Sequence, residues 1–224
     1  MMKKSTTHFF TTLILSFLLL YPAKAQETLT YHNLVLQTGD LIFVEAKSDQ
    51  LSGAINRVTQ RQENASFDHV GILEVSEETL FVLHASPKKG SVRELLDSLA
   101  LESAQKGKQL AIYRISEEAS PIIPDAIQQA KLLLGKPYNW SYVLNDSSLY
   151  CSDFVERAFR HGEVFQLEPM TFKNPKTGEI DPFWEEFYNK LGMEVPEGKP
   201  GCNPNGLAAN KNLNKVGDLI LTLH

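Results

Sequence analysis

The chain has 224 residues, of which 42% are hydrophobic and 22% charged, close to the average of soluble globular proteins; disorder and low complexity are excluded for most of its length. Thirteen glycines and eleven prolines with no fixed period exclude collagen-like and solenoid architectures, and the length suits one domain. The formal net charge of −5, with no basic run longer than Lys88-Lys89, argues against nucleic acid as a partner.

Lys3 and Lys4, the apolar run from Leu13 to Leu20 and the small-x-small triplet Ala23-Lys24-Ala25 have the pattern of a secretory signal peptide. Cleavage is expected after Ala25, leaving one domain over residues 26–224 that is secreted or periplasmic. The run is much shorter than the roughly 20 apolar residues that span a bilayer, so stable membrane insertion is not expected. Loss of Lys3, Lys4 and Lys24 takes the 22 basic residues to 19 against 27 acidic ones, a mature charge of −8. Two cysteines remain, Cys151 and Cys202, and in an exported chain their plain reading is one disulfide.

Along the mature chain, Thr38-Gly39-Asp40 reads as a turn into a buried strand, Leu41 to Val44. Ser48 is placed to cap a short helix carrying Leu51, Ile55 and Val58. Residues His69 to Val75 and Thr79 to Ala85 read as a hairpin. A two-residue loop at Ser76-Glu77 would set Leu73 opposite Leu80 and His69 opposite His84. Ser91-Val92-Arg93-Glu94 matches a capping box opening a helix with Leu95, Leu96 and Leu99. A strand is expected over Gln109 to Arg114, and a helix from Ser120-Pro121 to Gly135. Another helix begins near Tyr150-Cys151-Ser152, with Cys151, Phe154, Val155, Ala158 and Phe159 on one face. Phe183 to Leu191 is a further amphipathic helix, and Leu219 to Leu221 is a candidate return to the sheet edge. Strands and helices do not alternate regularly, which points to an α+β fold.

Three residues could carry chemistry. Cys151 at a helix start is placed where the helix dipole favours the thiolate. His69 could take the thiol proton, and His84 could hold that ring in the right tautomer. Each also has a plainer reading, as a buried or disulfide-bonded cysteine and as structural histidines. A zinc site of Cys151, His69 and His84 is a further alternative, although no HExxH or CxxC spacing supports it.

The strings Gly39-Asp40-Leu41-Ile42-Phe43, His69-Val70-Gly71-Ile72 and Leu83-His84-Ala85-Ser86 resemble the segment that carries the catalytic histidines of NlpC-type cell-wall cysteine peptidases. Gly135-Lys136-Pro137-Tyr138 and Tyr150-Cys151-Ser152-Asp153-Phe154-Val155 are similar to the segment that carries their tyrosine and nucleophile. The cysteine segment comes last here, as in the circularly permuted branch, the YiiX/YaeF-like papain-fold amidases. The resemblance spans roughly residues 36 to 160. It implies a papain-like α+β domain in which the Cys151 helix packs on an antiparallel sheet bearing both histidines. It also implies Cys151 as nucleophile, His69 as base, His84 as the polar third member, and Tyr138 and Ser152 as substrate-binding or oxyanion support. The implied reaction is amide hydrolysis through a thioester, on a peptide, muropeptide or acyl-amide substrate, with no cofactor. A lipid thioesterase or acyltransferase of the lecithin-retinol-acyltransferase-like kind, or a binding module without turnover, are the alternatives. Two residues depart from the peptidase pattern: Tyr150 stands where an acidic residue precedes the nucleophile, and Asp153 where a small residue follows it.

Overall fold

Leu41, Ile42, Phe43 and Val44 are apolar without alternation because both faces of their strand are covered. The computed structural model describes residues 28–32, 34–61 and 66–219; the signal-peptide segment lies outside them. A hairpin, β1 (Thr28–Tyr31) and β2 (Leu34–Gln37), leads into β3 (Leu41–Glu45) and α1 (Gln50–Thr59). β4 (Phe67–Ser76), β5 (Thr79–Ser86) and β6 (Gly90–Leu95) follow, then α2 (Leu96–Gln105) and β7 (Leu110–Ile115). The second half contains α3 (Ile123–Leu132), α4 (Cys151–Phe159), β8 (Glu168–Pro169), α5 (Pro182–Leu191), β9 (Pro200–Gly201), α6 (Pro204–Ala208) and β10 (Leu213–Leu219).

Six strands form an antiparallel sheet in the order β10-β7-β3-β4-β5-β6. Leu41 and Phe43 point to the face covered by α3 and α4, whereas Ile42 and Val44 pack with Leu96 and Leu99 of α2 on the other. Phe43, with no exposed surface, lies against Phe67 and Tyr113; truncation to alanine would cost about 3–5 kcal/mol. The turn before β3 is fixed by Asp40, which accepts from the Gln37 N–H and from two nitrogens of Arg114 at 2.7 and 2.8 Å. Gly39 in that turn has φ +91°, and a Cβ there would meet Ile123 at 2.6 Å.

Three local expectations give way. The hairpin turn falls at Glu77 and Glu78, both with positive φ, so Leu73 pairs with Val82 and Val75 with Leu80, two residues from the expected register. A two-residue shift preserves the face, because the side-chain period is two. The capping box does not start a helix: residues 91–94 belong to β6, and the helix begins at Leu96. Ser91 instead donates its hydroxyl to the carbonyls of Leu133 and Lys136, tying the 133–136 loop to the sheet. Asp49, not Ser48, occupies the cap position of α1, without a side-chain hydrogen bond. β10 does return to the sheet edge, beside β7, and starts earlier than the final apolar run.

Candidate active site

The β4–β5 ladder runs from the turn to Ile72 opposite Leu83 and stops short of His69 and His84. Gly71 lets the strands stay close there, since a Cβ would lie 2.6 Å from Val82 and 3.0 Å from the His84 Cβ. The two imidazoles meet edge to face, His69 Nε2 2.6 Å from His84 Nδ1. Their closeness follows from a shared face and diagonal strand positions rather than from the direct opposition expected.

The chain of contacts continues to Glu94, whose Oε1 lies 2.7 Å from His84 Nε2. The hydrogen bond from His84, with help from Lys89, holds the Glu94 carboxyl down at about 2, so it is an anion that only accepts. His84 Nε2 therefore carries the proton, its Nδ1 accepts, and His69 Nε2 donates. His69 Nδ1 is left as the free lone pair, and no other described residue bonds to it. Burial first, then the repulsion that a protonated His84 would exert and the charge of Lys108, push His69 well below the usual imidazole range, so it rests as a neutral base. Sequence reasoning missed Glu94. The alternation of Val92 and Glu94 opposite His84 and Val82 on one sheet face was the signal available.

Cys151 begins α4, behind Tyr150 as N-cap. Its helix packs on β4 and β5, and the N–H groups of Val70 and Ser152 point at the sulfur. The thiol is buried, 4% exposed, and burial pushes it up to about 12 in spite of those N–H groups. The expected depression by the helix dipole is thus overturned, because removal from water outweighs the helix N-terminus. Among the described residues no hydrogen bond joins the thiol to His69 in this resting state, and catalytic hydrogen bonds commonly tighten only with substrate.

Tyr138 reaches this site through a bridge to Leu149, Asn139 N–H donating to the Leu149 carbonyl at 3.0 Å. It lines two clefts, one holding Cys151 and the other His69 and His84; Ile55, Asp68 and Tyr142 line both. The Ser152 hydroxyl is engaged elsewhere, donating to the Cys202 carbonyl at 3.0 Å, so only its backbone N–H faces the sulfur. Tyr150 accepts from the Cys202 N–H at 3.2 Å and lines the Cys151 cleft. Asp153 lines neither; it is buried, takes Arg157 Nε at 2.7 Å, and burial raises it to about 6. Both cysteines are free thiols, as a nucleophilic Cys151 requires, and the plain disulfide reading gives way.

A family model described as the permuted papain-like amidase enzymes YaeF/YiiX, C92 family, matches residues 35–217. The chain belongs to this family. Among curated relatives of the permuted amidases, the uncharacterized protein YiiX of Escherichia coli K12 is 28% identical over 171 residues, covering 73% of this chain and 76% of that protein. The crystal structure of YiiX from Escherichia coli O157:H7, described as a metalloprotein, superimposes with a TM-score of 0.64 at 22% identity, over 80% of this chain and 96% of that one. In the present chain a three-ligand metal site does not fit. Both ring nitrogens of His84 are taken by His69 and Glu94, and no three His, Cys, Asp or Glu among the described residues are arranged to hold a metal ion. The zinc reading of Cys151, His69 and His84 falls with that observation.

Proposed function

We propose that the chain is an exported cysteine amidase that acts through a thioester on Cys151. The observation that carries this reading is the Glu94–His84–His69 series, which holds His69 Nδ1 unprotonated on the residue next to Val70, whose N–H faces the Cys151 sulfur. With the thiol protonated at rest, His69 acts as general base. It takes the proton as the sulfur attacks the amide carbonyl, then returns it to the departing amine. Backbone N–H groups at the start of α4 face the oxyanion. Water then cleaves the thioester by the same proton route. Peptides, including cell-wall peptides, and acyl-amino compounds are the substrates we assign, and the leader pattern of residues 1–25 supports a location outside the cytoplasm.

The cleft beside Cys151 favours one second reading. Its volume is about 890 Å³ counted out to solvent, and Val58, Met170, Phe172 and Trp184 line it, which suits an acyl chain and hence a lipid thioesterase or acyltransferase. Mass spectrometry of the protein after incubation with muropeptides, acyl-lysines and phospholipids separates the readings. An acyl adduct on Cys151 with release of an amine is expected. Turnover of phospholipids alone would favour the second reading, and the absence of any adduct would leave a binding module.

A further inference from the structure

Tyr142 stands out in the wall between the two clefts. It is an aromatic residue at φ +54°, a conformation L side chains rarely adopt. Asn139 and Ser141 hold it there: Asn139 Nδ2 donates to the Val143 carbonyl at 2.8 Å, and the Ser141 hydroxyl donates to Asn139 Oδ1 at 2.7 Å. From α5, the Tyr188 hydroxyl donates to the Ser141 carbonyl at 3.1 Å. The Tyr142 ring is wedged against Tyr150 and Trp184. Its side chain is nine-tenths buried, and the hydroxyl makes no hydrogen bond of ordinary length in the protein; the neighbouring Tyr138 hydroxyl is placed to donate to it, not to accept from it, so the Tyr142 proton is left without an acceptor. A buried hydroxyl without an acceptor is costly, and native proteins rarely leave one except where a ligand supplies the missing group. Tyr142 lines both the Cys151 cleft and the histidine cleft, and its hydroxyl is close enough to Cys151 for a charge there to raise its pKa.

We infer that the Tyr142 hydroxyl is a catalytic hydrogen-bond donor to the oxyanion formed when Cys151 attacks a substrate carbonyl, a role that rests on the acyl-transfer reading above. The sulfur–carbon bond forms, the carbonyl π pair moves onto oxygen, and the thiol proton passes to His69. The Tyr142 proton stays on its own oxygen and is shared with the oxyanion. Collapse then expels the leaving group and restores the carbonyl. The Tyr138 hydroxyl, placed to donate to Tyr142, and the Ser152 hydroxyl, held by the Cys202 carbonyl, leave Tyr142 as the buried side-chain donor without an acceptor between the clefts.

Two reactions of the same thiol test this. Acylation by p-nitrophenyl acetate passes through an oxyanion, whereas alkylation by iodoacetamide is a displacement at carbon without one. In Tyr142→Phe, which keeps the ring, the acylation burst should slow about a hundredfold while alkylation of Cys151 stays within about twofold of wild type. Equal acylation rates in the two proteins overturn the assignment, and so does a parallel fall in both reactions, which would place Tyr142 in the support of the thiol. A wild-type protein that shows no burst above Cys151→Ala would overturn the amidase reading itself, a result distinct from either.

Discussion

The two clefts that meet at Tyr138 and Tyr142 differ in chemistry. The Cys151 side is walled by Val58, Met170, Phe172 and Trp184, and burial there raises the thiol above its ordinary range. The histidine side contains Lys106, Lys108, Glu102 and Asp68, with Lys108 paired to Asp68 and Lys106 to Glu102. An apolar wall suits substrate and strengthens the hydrogen bonds made beside it, but these four side chains supply no charge to ionise a thiol, and the Arg61–Glu168 pair in the same cleft is neutralised internally. The charged side supplies what the apolar side lacks, a series of hydrogen bonds anchored on an anion that leaves one nitrogen ready to accept. Proton transfer across the shared wall is therefore the step on which both clefts depend.

The largest effect is expected on the apolar side. Cys151→Ala should reduce turnover to background while thermal melting stays close to wild type, since only one sulfur is lost from the core. Persistent activity would remove Cys151 from the mechanism. On the charged side, His69→Ala should lower kcat/KM about 10²–10⁴-fold, the usual worth of a general acid–base group. An activity loss below tenfold would show that the proton leaves by another route.

Glu94→Gln probes the anchor of the series. A glutamine amide can donate to His84 Nε2, which would then place the proton of His84 on Nδ1 and that of His69 on its own Nδ1, the wrong tautomer for a base. The expected loss is about a hundredfold in kcat/KM with little change in KM. A variant with wild-type kcat would show that the series does not set the tautomer.

The sequence was a better guide to the apolar side than to the charged one. The α4 face with Cys151, Phe154, Val155 and Ala158 obeys helical periodicity, and burial of all four follows from it. Phe183 to Leu191 was readable for the same reason, and Trp184 is both core and cleft wall. Glu94 was hidden because a serine three residues before a glutamate satisfies a capping box equally well on a strand. What decided the matter was a long-range contact, Ser91 with Leu133 and Lys136, which local spacing does not encode. The hairpin register slipped because two adjacent glutamates adopted positive φ, a choice open to few side chains and signalled here by neither glycine nor asparagine. The thiol pKa was misjudged because burial depends on the 168–172 and 201–204 segments closing over the cleft, far along the chain.

The smallest effect concerns pH. Lys108 is one of the charges that lower His69, with Lys106 and a protonated His84 acting in the same direction and Glu94 against them. A base held below its ordinary value is unprotonated at lower pH, so the acid limb of kcat/KM should lie below pH 6.5, the ordinary value for histidine. Lys108→Met removes a cation and frees the Asp68 carboxylate with which it pairs. Both changes favour the protonated imidazole, so the limb should move to higher pH while the plateau above it is kept. Movement to lower pH, or none, would mean that the charged cleft does not tune the base and that burial alone does.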